Sequence, residues 1–124
     1  MKTLIHLTAG VLLASVVLVV GPQTAMAQDL AKVAPNTTKV LLDNDRVRVL
    51  EVQHKPGEKS AMHSHPATLI YTLSAGKLKS TAPDGKTTEN EYKVGQANWG
   101  EAVTHATENV GTTDVRVLVI ELKK

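Results

Sequence analysis

No cysteine occurs anywhere in the chain. That absence excludes disulfides, thiol nucleophiles and thiolate metal ligands together. Aromatic residues are almost as scarce, with one tryptophan, two tyrosines and no phenylalanine, too few for the stacking platforms on which single-stranded nucleic acids are bound. Charge of one sign is lacking as well: 14 basic residues stand against 12 acidic ones, and so near a balance does not describe a nucleic-acid surface. No apolar run reaches the roughly 20 residues that span a bilayer. The stability of a fold with this composition has to come from packing, and from any metal it binds.

The first residues read as an address. Lys2 supplies a positive start, Ala9 to Val20 is almost wholly apolar, and Ala25-Met26-Ala27 places small residues before a cut at Gln28. No twin arginine precedes the apolar run and no lipid-accepting cysteine follows it. We therefore expect a signal peptide over 1–27, export in the unfolded state to a periplasmic or secreted location, and no membrane association after cleavage. The remaining chain of about 97 residues is near the lower end of what folds around one core. Residues 28–37 show no strong pattern and are expected as a loosely held arm, leaving 38–124 as a single domain.

The domain is patterned for strands. Lys39 to Leu42, Val47 to Gln53, Leu69 to Ser74, Lys77 to Thr81, Thr87 to Val94 and Val115 to Leu122 are rich in Val, Leu, Ile, Thr and Tyr. Turn clusters separate them, among them Pro56-Gly57 and Pro83-Asp84-Gly85, and Gly57, Gly76 and Gly95 read as positions that admit positive φ. Short strands at this spacing imply an all-β sandwich or barrel. The last run is apolar on both faces in its middle, which predicts a strand covered on both sides. In Val47 to His54 the apolar parity switches from Val47 and Val49 to Leu50 and Val52, and a bulge near Val49 or Leu50 would account for it. His54 then reads as a surface histidine at a strand end, with an inward accessory ligand or proton shuttle as the other reading.

Chemistry concentrates in three other histidines. His63 and His65 are separated by one residue, and side chains at i and i+2 of an extended strand share a face, so both imidazoles can approach one ion. His105 lies far downstream, ahead of Asn109, and completes a set if the fold returns it beside the pair.

Gly57, His63-Ser64-His65, Leu69 and Gly76 resemble the first motif of the cupins, G-x5-H-x-H-x3,4-E-x6-G. Gly95, His105 and Asn109 resemble the second, G-x5-P-x-G-x2-H-x3-N. The match spans Gly57 to Asn109 and departs from the pattern in two places. Leu69 stands where most cupins carry a metal-binding glutamate, and Glu101-Ala102-Val103 replaces the Pro-x-Gly step. The resemblance implies a cupin-type jelly-roll β-barrel and one divalent transition metal ion held by His63, His65 and His105. It is similar to the three-histidine variant found among thiol dioxygenases of that superfamily. Imidazole ligation suits such an ion but does not distinguish iron, zinc, copper, nickel or manganese.

Three neutral imidazoles leave the ion its full charge and open positions, which favours an anionic ligand and a reactive site over a structural one. Ser64, Thr104, Thr107 and Asn109 are the local candidates to orient the rings from behind, Asn109 being better read as pinning a turn. Tyr71 shares a strand face with Leu69 and Leu73 and is a candidate catalytic hydroxyl, a packed tyrosine being the alternative. Glu101 is a candidate general base or replacement carboxylate, otherwise a solvated loop residue, and Trp99 reads as core or interface. The expected function is metal-dependent chemistry of the dioxygenase type on a small organic molecule, an anionic one in particular, by a homodimer. A non-catalytic metal- or ligand-binding protein, a metal-dependent isomerase or hydrolase, and a metal-free scaffold are the alternatives.

Overall fold

A computed structural model describes residues 28–124; the expected signal peptide lies outside the described residues. Nine strands follow one short helix: α1 (Leu30–Val33), β1 (Thr38–Asp43), β2 (Val47–His54), β3 (Lys59–His65), β4 (Thr68–Ser74), β5 (Gly76–Thr81), β6 (Thr87–Tyr92), β7 (Ala97–Gly100), β8 (Val103–Asn109) and β9 (Val115–Leu122). Every run expected as a strand is one. β2 pairs with β9, β3 with β8, β4 with β7 and β5 with β6, all antiparallel. This nested pairing is that of one long hairpin wound into two facing sheets, a jelly roll. The sheets have the strand orders β1-β2-β9-β4-β7 and β3-β8-β5-β6.

The interior follows from side-chain alternation. β9 lies between β2 and β4 and turns Val115, Val117 and Val119 inward, each buried, as its two-faced apolar pattern predicts. Leu50 and Val52 from β2 and Leu78 from β5 meet them. Burying side chains of this kind contributes roughly 1.5–3 kcal/mol each. Gly57 and Gly95 have φ of +83° and +79°, as expected of turn glycines, whereas Gly76 does not. There the constraint is space, since a Cβ would lie 2.5 Å from Val115 Cγ2.

Three local expectations need correction. The β2–β9 register runs unbroken from Val47 to His54, and the irregularity lies on the partner strand, where Leu41 is extra opposite Val49 and Leu50. The parity switch in β2 arises because Arg48 faces inward with Leu50 and Val52, in a polar corner shared with Glu121 and Asp29. His54, on the same face, is 2% exposed rather than a surface residue. The arm is not loosely held either: Asp29 caps α1 by accepting from Ala31 N–H at 2.9 Å, and Leu30 and Ala34 join the core.

Candidate metal centre

β3 is an edge strand that delivers two of the three histidines, and its one irregularity fixes how they point. Ser60 pairs with Thr107 and His63 with His105, so Ala61 and Met62 oppose a single residue of β8. This bulge brings both Ser60 and His63 inward, although they are three residues apart. It also leaves the Ala61 carbonyl 2.7 Å from His63 Nδ1, which donates to it. The sheet register, not a loop, sets His105 beside His63. Ring centroids are 4.7 Å apart for His63 and His105, 4.8 Å for His63 and His65, and 5.5 Å for His65 and His105.

All three rings use Nδ1 toward the protein. His65 Nδ1 donates to Glu121 Oε1 at 2.7 Å, and His105 Nδ1 shares a hydrogen bond of 2.8 Å with Ser80 Oγ. The carbonyl and carboxylate partners can only accept, so Nδ1 of His63 and of His65 carries a proton and Nε2 is the nitrogen left to face an ion. One donor nitrogen from each ring lies within 4.8 Å of the others. An ion with bonds of about 2.0–2.1 Å would need these nitrogens closer together than that. Three imidazoles with Nδ1 engaged fit a divalent transition metal, and the partners behind them are those that raise ligand basicity.

Electrostatics agree. Burial, reinforced by the neighbouring His63 and His65, pushes His105 down to about 4. Burial likewise lowers His63 and His54 below the ordinary imidazole value. His63 and His105 are therefore neutral at physiological pH and able to ligate. Burial raises the Glu121 carboxyl, but hydrogen bonds from His65 and Arg48 outweigh it and hold the group below the usual carboxylate range. Its second oxygen accepts from Arg48 Nε at 2.8 Å, and with its side chain 5% exposed the pair is almost wholly desolvated.

Beside the rings opens a cavity of about 350 Å3, within the range that takes small ligands. Its walls include Leu30, Val52, Ile70, Leu78, Val117 and Val119, and His54 is a further polar group in the lining. His54 Nε2 lies 2.7 Å from Ser60 Oγ.

Several expected site residues stand elsewhere. Along β4, Thr68 and Ile70 face the cavity, so Leu69 and Tyr71, both well exposed, point from the outer face. Tyr71 therefore offers no hydroxyl to the rings, and the inward position nearest that of the missing glutamate is Ile70. Glu101 does line the cavity, at its exposed rim, where Oε1 accepts from Trp99 Nε1 at 2.7 Å. Trp99 is 57% exposed and not core. Ser64 and Thr104 bond each other, and Thr107 lies 3.5 Å from His54 Nε2. Asn109 pins a turn as expected, donating to the carbonyls of His54 and Thr113 and accepting from Gly111 N–H. The groups behind the rings, Ala61, Glu121 and Ser80, escaped the sequence reading. Glu121 had a signal, an acid at the inward parity of an otherwise apolar strand.

Solved structures similar to this chain share its architecture. One is a cupin domain from Bordetella pertussis Tohama I, 27% identical, the match covering 70% of this chain and 92% of that one with a TM-score of 0.64. The chain has the cupin fold. An RmlC-like cupin family protein from Methanocaldococcus jannaschii is 15% identical over 69% of this chain and 78% of its own, with a TM-score of 0.56. The polyketide cyclase RemF from Streptomyces resistomycificus is 23% identical over 70% of this chain and 64% of its own, with a TM-score of 0.52. No family model matches the sequence, and no curated protein does.

Proposed function

We propose that this cupin is an exported, metal-dependent oxidoreductase of the dioxygenase type, acting on a small anionic organic molecule in the periplasm or outside the cell. The observation that supports this reading best is the approach of three imidazoles, each with Nδ1 already engaged, at one part of a largely apolar cavity. An iron(II) or similar ion held by His63, His65 and His105 would supply Lewis-acid and redox chemistry. The protein does the rest. No carboxylate stands among the three donor groups, so an anionic head group is favoured there. The aliphatic walls receive an apolar body and exclude water. To Glu101, which accepts from Trp99 at the cavity rim, we assign the exchange of a proton with a ligand.

We also assign a homodimer to the outer face of the larger sheet. Leu42, Val49, Ile120, Leu69 and Trp99 form one apolar row in register across all five strands, and Leu42, Leu69 and Trp99 are exposed. A continuous patch of this kind marks an interaction surface. Light scattering should return twice the mass of the mature chain, and a monomer for Leu69→Lys.

The test of activity is elemental analysis of the native protein, followed by oxygen uptake with iron(II)-loaded protein and a panel of small carboxylic acids and thiols. Uptake that depends on one class of anion supports the reading. Metal binding without oxygen consumption favours a non-catalytic binding protein, turnover without oxygen favours an isomerase or hydrolase, and absence of any metal uptake leaves a scaffold.

A further inference from the structure

The N-terminal arm reaches the same ligand by two independent routes. β3 is an edge strand, and an edge leaves backbone donors and acceptors without partners. At Ser64, the residue between His63 and His65, the arm covers that edge: Asp29 bridges Ser64 in parallel register, and Ser64 N–H donates to the Gln28 carbonyl at 2.9 Å. The second route runs through side chains. Asp29 accepts from Arg48 Nη1 at 2.5 Å and from Nη2 at 3.0 Å, Arg48 Nε donates to Glu121 at 2.8 Å, and Glu121 accepts from His65 Nδ1 at 2.7 Å. Leu30, the next residue of the arm, is 2% exposed and forms part of the cavity wall.

We propose that residues 28–34 are a positioning latch for the metal centre, with Asp29 acting on His65 through Arg48 and Glu121. The inference rests on the reading of the three histidines as a metal site. A guanidinium is a rigid planar fork, and here it is bonded on one side by Asp29 and on another by Glu121. So held, it fixes the Glu121 carboxylate and, through that, the plane of the His65 ring. Without Asp29, two of its donors lose their partner and the fork turns freely. The backbone contact at Ser64 meanwhile holds the strand that carries both rings. The arm thus completes the cavity wall, the ligand strand and the orientation of one ligand at once.

The test uses cobalt(II) titrated into the metal-free protein, read by affinity and by the visible ligand-field bands. Asp29→Asn keeps a capping oxygen for α1 but loses the charge and an acceptor for Arg48. It should weaken cobalt binding about 3- to 10-fold, less than the roughly 10–100-fold typical of a group bonded directly to a ligand, and shift the bands. Val115→Ala, at a core residue outside the arm, the cavity lining and the chain to His65, should lower the melting temperature and leave the band positions unchanged. Should the Asn variant lose its far-UV circular dichroism, Arg48→Lys serves instead, because it keeps the charge and loses the fork. Unchanged affinity and bands in whichever variant folds overturn the latch while the metal site stands. A wild-type protein that takes up no cobalt removes the metal reading, and the latch with it.

Discussion

His63 and His105 face each other across one rung of the β3–β8 ladder, their ring planes inclined at 66°. Two groups far apart in sequence are thereby fixed by backbone hydrogen bonds, the least compliant connection a sheet offers. His65 joins them from the next inward position of β3, with Glu121 behind it.

Replacing His105 by Ala should abolish tight metal uptake in equilibrium dialysis with zinc or cobalt, and leave the far-UV circular dichroism of the sheets largely intact. The residue contributes a donor nitrogen and little to the apolar core, which is built from β2, β5 and β9.

The glutamate missing from the first motif can be restored at two neighbouring positions with opposite outcomes. Leu69→Glu places a carboxylate on the outer face and should leave metal affinity unchanged. Ile70→Glu places it in the cavity, where it should tighten metal binding and weaken anion binding, because it cancels about one unit of the ion's charge. Calorimetric titration of both variants separates them.

Glu121→Gln removes the carboxylate on which the His65 Nδ1 proton rests. We expect metal affinity to fall roughly 10–100-fold, measured by competition with a chromogenic chelator.

Arg48→Met leaves the Glu121 side chain, 5% exposed, without its cationic partner. Breaking a buried pair from one side costs about 3–5 kcal/mol, a large share of the roughly 5–15 kcal/mol that holds a domain together. Urea denaturation should show the loss as a lower midpoint.

Acid should destabilise the metal-free protein early. His54, His63 and His105 are held below the ordinary imidazole value, His105 at about 4, so the unfolded state binds more protons once the pH falls below about 6.5. The stabilisation from keeping these rings neutral is complete above about pH 6.5 and is lost as the pH falls from there toward 4. Thermal melts across that range should show a falling midpoint, and a flat profile contradicts the burial assigned to the rings.

Much of this was legible in the chain itself. The six β-rich runs became β1, β2, β4, β5, β6 and β9 because alternation of branched and polar residues is a local signal. The His-x-His spacing marked two of the three rings that cluster, for the same reason. β3, β7 and β8 lack a run of that kind: Lys59–His65 and Val103–Asn109 are dominated by polar and small residues. Their strand character is imposed by pairing, β3 with β8, β8 also with β5, and β7 with β4. The face assigned to Tyr71 failed on a similar point. The expectation rests on Tyr71 sharing a face with Leu69, at the motif's glutamate position, and that face is the outer one, because β4 begins its own alternation at Thr68 with Thr68 and Ile70 inward.

Composition and pattern alone determined an all-β domain without disulfides and the pairing of His63 with His65 on one strand face, since these depend on residue type and on a period of two; His105 joined them only through the motif resemblance. Tertiary structure alone decided which nitrogen of each ring is free, that Glu121 rather than a nearby hydroxyl stands behind His65, and that an arm without sequence pattern closes the site. Those outcomes depend on register between strands distant in the chain, and on the cost of burying Arg48 and Glu121 unpaired. That cost acts only once the sheets have come together.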